Sequence, residues 1–306
     1  MQRTLAALVC LALPGLTFAQ EPIPGIGPDG KIVKLHTGFK FTEGPAADRD
    51  GNVYFSDIPN EIIHKIDVKG QLSVFIEKSN RANGLMVSGK GDLFACEGAG
   101  QVVAYNLKTK ERRVIADKYE GKPFNQPNDL VIDKQGGVYF TDPLFGSPKT
   151  KPQDKLGVYY VSPDGKVARL IDNLPLPNGV KLSPDEKTLY VVPTGQPEMM
   201  AYPVESPGKI GAGKVLCTLK LPEGKKDTGG GDGLTIDVKG NLYITSTLGL
   251  QVYTPEGKLL GIIALSEQPA NVTFGGADDK TLYVTARNSV YTVPMLVAGH
   301  VYPAGK

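Results

Sequence analysis

The chain has 306 residues, of which 41% are hydrophobic and 22% are charged, values typical of folded globular proteins rather than disordered chains. Its formal net charge is +2 at pH 7, and its basic residues are dispersed, so we expect neither nucleic acid nor an anionic membrane surface as a partner. No run of apolar residues is long enough to cross a bilayer, so we predict no membrane span, and we expect a monomer.

The first residues of the chain have the organisation of an export signal. A basic residue lies near the start, residues 5–13 form an apolar stretch, and Ala19 ends a short segment of the type that signal peptidases cleave. We therefore predict a signal peptide over residues 1–19 and a single domain over residues 20–306. The protein is then exported, either to a periplasm or into the medium. An N-terminal anchor that stays attached is the alternative.

One pattern then recurs six times along the chain. In each copy a polar residue opens a short alternating strand, a turn follows, and a second strand carries an aromatic residue 11 or 12 positions after the polar one. The pairs are Glu43 and Tyr54, Asn83 and Phe94, Asn128 and Tyr139, Asn178 and Tyr190, Asp232 and Tyr243, and Asn271 and Tyr283. Successive copies begin 40, 45, 50, 54 and 39 residues apart, a spacing typical of the blades of a β-propeller.

The number of strands in each copy predicts how the ring closes. Most copies continue with two further strand-like runs, such as residues 62–66 and 72–76 in the first copy, which gives four strands per blade. The sixth copy is one strand short, whereas residues 32–35 precede the first copy without a blade of their own. We predict an all-β, six-bladed propeller in which this N-terminal strand joins the last blade. A two-sheet sandwich or a small α/β domain is disfavoured by the even spacing and the lack of a helical period.

The polar residue that opens each copy predicts a metal site. The first strands of the blades line the channel, so Glu43, Asn83, Asn128, Asn178, Asp232 and Asn271 should lie at one height around it. An Asn-Gly or Asp-Gly pair alone is usually a turn, but six polar residues share this register and two of them are carboxylates. Buried carboxylates need a compensating charge. An all-oxygen ligand set favours calcium, with magnesium, manganese and zinc as alternatives.

Two further pairs of residues are expected to be structural. Cys96 and Cys217 remain after the predicted signal peptide, and we expect two buried free thiols rather than a disulfide. Asp57 and Asp142 follow the aromatic strands of their copies at equal positions. We expect them to support the fold, with a second ion as the alternative.

Five short segments occur in an order and spacing that resemble one known family. They are Phe41-Thr42-Glu43-Gly44-Pro45, Pro127-Asn128-Asp129-Leu130, Tyr139-Phe140-Thr141-Asp142-Pro143, Pro177-Asn178-Gly179-Val180 and Gly231-Asp232-Gly233-Leu234. Together they resemble the senescence marker protein / regucalcin / gluconolactonase family of calcium-dependent lactonases, over nearly the whole mature chain. The resemblance implies a six-bladed propeller that hydrolyses a small lactone.

The same resemblance assigns roles to individual residues. It implies that Glu43, Asn178 and Asp232 hold the cation, that Asn128 is a further ligand or a substrate contact, and that Asp232 also serves as the catalytic base. Asn83, Gln126 and Asn128 are expected to orient the substrate. The chain departs from the animal members of the family, which carry an arginine where Gln126 stands, so the identity of the lactone stays open.

The sequence therefore predicts a metal-dependent lactonase, a carboxylic ester hydrolase acting on a gluconolactone-like sugar lactone through cation-activated attack of water. One alternative is a non-catalytic propeller that binds a ligand or protein and holds a structural ion, because propellers host many functions. Another is a phosphotriesterase-type hydrolase that uses the same residues. A quinone-dependent dehydrogenase is disfavoured because the repeat positions carry no basic residue or histidine.

Overall fold

The computed structural model describes residues 21–146, 151–224 and 229–302. Over these residues the chain forms six antiparallel sheets that follow one another as the blades of a propeller around a central channel, which confirms the predicted architecture. The single helical segment of this described part is a 3₁₀ turn at Ile58–Asn60, and no helix in it is long and apolar enough to cross a membrane. The predicted signal peptide lies outside the described residues.

The strands are labelled here in chain order. An N-terminal strand, β1 (Val33–Thr37), precedes the first blade. The first blade contains β2 (Thr42–Ala47), β3 (Val53–Asp57), β4 (Ile62–Ile66) and β5 (Leu72–Glu77). The second contains β6 (Ala82–Val87), β7 (Asp92–Glu97), β8 (Gln101–Asn106) and β9 (Arg112–Ala116), and a short hairpin, β10 (Lys118–Tyr119) and β11 (Lys122–Pro123), follows it. The third contains β12 (Leu130–Ile132), β13 (Val138–Asp142), β14 (Gly157–Val161) and β15 (Val167–Ile171).

The fourth blade has a fifth, short strand. It contains β16 (Pro177–Leu182), β17 (Thr188–Pro193), β18 (Glu198–Ser206), β19 (Lys209–Ile210) and β20 (Lys214–Thr218). The fifth contains β21 (Leu234–Ile236), β22 (Leu242–Ser246), β23 (Gly249–Tyr253) and β24 (Leu259–Ile263), and the sixth contains β25 (Pro269–Gly275), β26 (Thr281–Ala286) and β27 (Ser289–Pro294). Strand β19 pairs with the extended end of β18, whereas β20 forms the fourth position of the sheet.

The N-terminal strand closes the ring, as predicted. Strand β1 pairs antiparallel with β27, with Val33 opposite Thr292 and Thr37 opposite Ser289. The sixth blade therefore combines the two ends of the described chain, and it gains the fourth strand that its own repeat lacks. The paired strand extends two residues beyond the predicted run of residues 32–35.

Apolar side chains of the second strand in each blade form the core between blades. Tyr54 of the first blade lies in one apolar cluster with Leu85 and Leu93 of the second, and Tyr243 of the fifth blade contacts Phe274 of the sixth at a centroid distance of 5.2 Å. Burial of one such aromatic side chain contributes about 1.5–3 kcal/mol. The recurring aromatic position in the sequence is therefore the position that holds neighbouring blades together. Cys96 and Cys217 lie in this core as free thiols, as expected.

The glycines that follow the polar residues allow the inner strands to approach closely. The backbone N–H of Gly84 donates to the carbonyl of Asn128 at 2.7 Å, and that of Gly179 donates to the carbonyl of Asp232 at 3.0 Å. A Cβ atom at either glycine would lie 2.5 Å from the same carbonyl oxygen. These glycines are therefore required by the contact between neighbouring blades, and the structure places them in strands rather than in turns.

Candidate active site

Six candidate residues line one cavity at an end of the channel. The cavity has a volume of about 330 Å³, within the range of small-molecule sites. The candidates in its lining are Glu43, Asn83, Gln126, Asn128, Asn178 and Asp232. They come from five different blades. Each lies at or just before the start of the inner strand of its blade. The repeat thus brings side chains far apart in the sequence into one place.

The sixth residue of the predicted ring has another role. Asn271 is buried, but it is not part of the cavity lining. Its Oδ1 atom accepts a hydrogen bond from the backbone N–H of Val272 at 2.8 Å. The prediction that all six polar residues line one site is therefore wrong for Asn271, whose side-chain oxygen pairs with the backbone of its own strand.

Asn178 and Asp232 are joined across two neighbouring blades. Nδ2 of Asn178 donates to Oδ1 of Asp232 at 2.5 Å and to Oγ1 of Thr194 at 2.9 Å. The Thr194 hydroxyl donates in turn to the carbonyl of Gly231 at 3.1 Å. Both hydrogens of the amide are engaged, so its orientation is fixed. The Asn178 Oδ1 atom is buried and has no hydrogen-bond partner in the described chain.

The two carboxyl groups of the cavity are held in a desolvating environment. Glu43 is only 3% exposed, and the backbone N–H of Gly44 donates to its Oε2 atom at 2.8 Å. Burial, and then the negative charge of Asp232, raise the pKa of Glu43 well above its usual range. Burial also raises the pKa of Asp232 to about 7, although the hydrogen bond from Asn178 opposes this rise. The pair therefore binds either protons or a compensating cation at neutral pH.

The donor set fits an oxygen-ligated divalent cation. Besides the two carboxylates, the buried Oδ1 atoms of Asn83 and Asn178 lack any hydrogen-bond partner among the described residues. Buried polar atoms are usually paired, so two unpaired amide oxygens in one cavity are available to a ligand that carries positive charge or hydrogen-bond donors. Within the described ranges no cluster of three or more His, Cys, Asp or Glu side chains occurs. A cation here would therefore be bound by carboxylate and amide oxygens together.

Two buried aspartates hold the segments that enter the site. Oδ1 of Asp57 accepts hydrogen bonds from the backbone N–H groups of Lys40 and Phe41, both at 3.1 Å. Asp142 accepts from Asn125 and Gln126, both at 2.8 Å. Each carboxylate ends the second strand of its blade and fixes the backbone just before a candidate residue. Their predicted supporting role thus has a direct structural basis.

Sequence reasoning missed the residues that form the wall of the cavity. They are Phe41, Ile58, Pro59, Arg81, Gly98, Pro127, Phe145 and Thr194. A signal for two of them was present in the repeat, because Phe41 and Arg81 lie two residues before a polar ring residue, as Gln126 does. Ile58 and Pro59 belong to the 3₁₀ turn, and no periodic feature of the sequence marks that turn as part of a site.

A second, larger cavity of about 430 Å³ lies away from the paired carboxyl groups. Its lining includes Arg49, Lys181 and residues 299–302 of the C-terminal segment. Lys181 donates to the carbonyl of Leu130 at 3.2 Å and lies 3.7 Å from Asp129. Because the paired carboxylates and unpaired amide oxygens line the smaller cavity, we regard the smaller cavity as the candidate active site.

The chain is similar in sequence and in structure to known proteins. Residues 41–288 match the model of the SMP-30/Gluconolactonase/LRE-like region. A gluconolactonase of Zymomonas mobilis is 32% identical over 286 residues, covering 86% of this chain and 80% of that protein. Lactonase drp35 of Staphylococcus haemolyticus is 31% identical over 210 residues, covering 66% and 62%. The solved structure of a gluconolactonase from Xanthomonas campestris superposes with a TM-score of 0.79 at 28% identity, covering 87% of this chain and 90% of the other.

Proposed function

The chain belongs to the SMP-30/gluconolactonase/LRE-like family, and from this membership we propose that it is a lactonase that hydrolyses a small lactone with the help of one divalent cation, calcium in the first instance. The relatives named gluconolactonase and lactonase support a lactone hydrolase. The dependence on a cation is our own inference from the cavity. We propose Glu43, Asn128, Asn178 and Asp232 as its ligands.

One observation carries this proposal. Two carboxyl groups and two unpaired amide oxygens lie in a single cavity at the end of the channel. Without a bound ion or ligand such groups would be costly, because each buried polar atom without a partner destabilises the fold by about 1–3 kcal/mol. A cation bound by Glu43, Asn178 and Asp232 removes this cost for those groups, while a donor on the substrate does so for Asn83. The cation also supplies what ester hydrolysis needs. When bound, it withdraws electron density from the lactone carbonyl and stabilises negative charge on its oxygen.

The residues of the chain account for the proton transfers. Oδ1 of Asp232 already accepts a hydrogen bond from Nδ2 of Asn178, so we place the transferred proton on Oδ2. Asp232 accepts a proton from the attacking water, whose oxygen forms a bond to the carbonyl carbon. The bond between that carbon and the ring oxygen then breaks, and Asp232 returns the proton to the ring oxygen. General-base catalysis of this kind contributes about 10²–10⁴ in rate.

Other residues of the cavity orient the lactone. The side chain of Gln126 is fixed because its Oε1 atom accepts a hydrogen bond from the backbone N–H of Phe145 at 3.1 Å. Its amide nitrogen is then available to the substrate, and we propose the same use for Asn83 and Asn128. Phe41, Ile58 and Phe145 provide an apolar wall, which excludes water from one side of the reacting group.

The proposal is tested by metal removal and by one substitution. The purified protein is treated with a chelator and assayed on gluconolactone and on a panel of other lactones, with and without added calcium. We expect activity to disappear on chelation and to return with the ion. In Asp232→Asn we expect a loss of at least about 10²-fold in kcat, with an unchanged circular dichroism spectrum.

The same assay separates the alternatives. Full lactonase activity in the chelated protein would contradict a role for the cation. Turnover of a phosphotriester at a higher kcat/KM than any lactone would favour a phosphotriesterase. Calcium binding without turnover of either substrate class would favour a non-catalytic propeller. We also propose that the protein is exported, which N-terminal sequencing of the protein recovered from cell fractions tests directly.

A further inference from the structure

Arg81 occupies a fixed position at the edge of the candidate active site. It lies two residues before Asn83, in the same repeat position as Phe41 and Gln126, and all three line the cavity. Its backbone has a left-handed conformation with φ of 60°. The carbonyl of Arg81 accepts a hydrogen bond from the N–H of Gly98 at 3.0 Å. The residue is therefore held through its main chain.

The guanidinium group of Arg81 has no partner in the described parts of the chain. The guanidinium groups of Arg112, Arg113 and Arg169 pair with carboxylates at 2.6–2.7 Å, whereas Arg81 takes part in no ion pair or side-chain hydrogen bond among the described residues. It is also exposed. The charge of this side chain is thus available to a ligand, and no interaction within the fold explains its presence at the cavity.

The positive charge of Arg81 is not needed to neutralise the acidic residues of the cavity. Among the described residues of the lining, Glu43 and Asp232 are acidic and Arg81 alone is basic. The two carboxylates are balanced by the divalent cation that we propose. The positive charge of Arg81 therefore remains without a counter-charge in the described cavity lining.

From these observations we propose that Arg81 determines specificity by binding an anionic group on the lactone, so that the preferred substrates are small lactones with a carboxylate or phosphate substituent. A guanidinium group has donors only and binds such groups through two parallel hydrogen bonds, which a neutral hydroxyl cannot match. This inference rests on the proposed lactonase activity and adds the chemical class of the substrate.

Two matched pairs of substrates test the inference on the calcium-loaded protein. Glucono-γ-lactone is compared with glucaro-γ-lactone, which adds a carboxylate. Glucono-δ-lactone is compared with its phosphate ester at the primary hydroxyl, which adds a phosphate. We expect the charged member of at least one pair to have a kcat/KM about tenfold higher than its neutral partner. The pair that shows the larger preference identifies the anionic group.

Substitutions of Arg81 test whether this residue causes the preference for charged lactones. In Arg81→Met the preference should vanish through a loss of about tenfold on the charged substrate, with less than about a twofold change on the neutral one. Arg81→Lys should keep part of it, because the charge remains but the paired donors do not. Arg49→Met is the matched control. Arg49 is an exposed arginine without an ion pair in the described chain, and it lines the other cavity, so the preference should survive there.

The outcomes are distinct from those of the lactonase test. Turnover of the neutral lactones without any preference for the charged ones would overturn the role of Arg81 and leave the lactonase proposal intact. A preference that survives in Arg81→Met, or that falls equally in Arg49→Met, would overturn it as well. Failure of the calcium-loaded protein on all four lactones would count against the lactonase proposal itself.

Discussion

The two proposed roles of Asp232, metal ligand and general base, require opposite protonation behaviour. As a ligand it must be ionised, whereas as a base it must accept a proton. Burial raises the pKa of its carboxyl group to about 7, and a bound cation would lower that pKa again. The hydrogen bond from Asn178 to Oδ1 gives the two oxygens of the carboxylate different surroundings. One oxygen can therefore bind the cation while the other accepts the proton.

This burial predicts how stability depends on pH. The folded state holds the proton of Asp232 up to about pH 7, whereas the ordinary value of an aspartate is 3.8. In the chelated protein the free energy of unfolding should therefore fall as pH rises from about 4 to about 7, by a few kcal/mol. Saturating calcium should suppress the part of this fall that is due to Asp232 and Glu43, because the ion keeps these two carboxylates ionised in the folded state. Melting temperatures measured with chelator and with calcium across this range give the difference.

Two variants make the pH prediction specific. Asp232→Asn should show a shallower fall in the chelated protein, with the remainder due to the other buried carboxyl groups, Glu43 and Asp142 among them. The pKa of Asp142 is also raised to about 7 by burial, but Asp142 should contribute equally with and without calcium. Identical melting curves with chelator and with calcium over the whole range would contradict the proposed metal site.

Thr194 is expected to affect catalysis without contacting the reacting atoms. Its hydroxyl links Asn178 Nδ2 to the carbonyl of Gly231. Thr194→Val keeps the shape and removes this link, so we expect a loss of about 1 kcal/mol in stability and a fall of about tenfold in kcat as Asn178 and Asp232 lose their orientation. Thr194→Ser retains the hydroxyl and should restore most of kcat. Equal kcat in the Val and Ser variants would show that the link is not needed.

At the scale of single elements, the inner strands bring the site residues to one height, and the second strands fix the backbone that precedes them. Asp142 ends β13 and accepts two backbone hydrogen bonds from residues 125 and 126. This arrangement holds Gln126 and Asn128 of the third blade in place. Asp57 at the end of β3 does the same for the segment before Glu43.

The support given by Asp142 can be tested by Asp142→Asn. The amide has one acceptor oxygen, so one of the two backbone N–H groups would lose its partner. We expect a loss of about 1–3 kcal/mol in stability and a rise in KM of several-fold, because Gln126 and Asn128 orient the substrate. Asp164→Asn is the control, since Asp164 lies in an exposed hairpin of the same blade. A normal KM in a destabilised Asp142→Asn would limit this aspartate to a role in folding.

The site could be predicted from the sequence where it follows the repeat or the family resemblance. The ring residues share one register, so the convergence of five of the six in the cavity followed from symmetry, with Asn271 outside the lining. Gln126 was identified through the family resemblance. The wall formed by Ile58, Pro59 and Phe145 depends on connections between strands that differ from blade to blade. Such irregular segments carry no periodic signal, so their placement required coordinates.

At the scale of the molecule, the repeat gives six blades but does not join the first to the last. The pairing of β1 with β27 supplies that joint. It was predictable because the sixth copy lacks a strand and the N-terminal run has no blade of its own. The length of β1 and the extra strand β19 were not predictable, because edge strands are exposed and their sequences are constrained less by burial.

The joint predicts where a covalent link should stabilise the propeller most. Val33 and Thr292 are partners across β1 and β27, and antiparallel partners have Cα atoms close enough for a disulfide. A disulfide between Val33→Cys and Thr292→Cys closes a loop of nearly the whole domain. A control between Lys65→Cys and Ser73→Cys, partners across β4 and β5, closes a short hairpin. Loop entropy predicts about 3 kcal/mol more stabilisation for the first link than for the second. Denaturant unfolding of both variants, oxidised and reduced, measures the difference. Equal gains would contradict the loop-entropy argument and show that a covalent link between β1 and β27 stabilises the ring no more than a link within one hairpin.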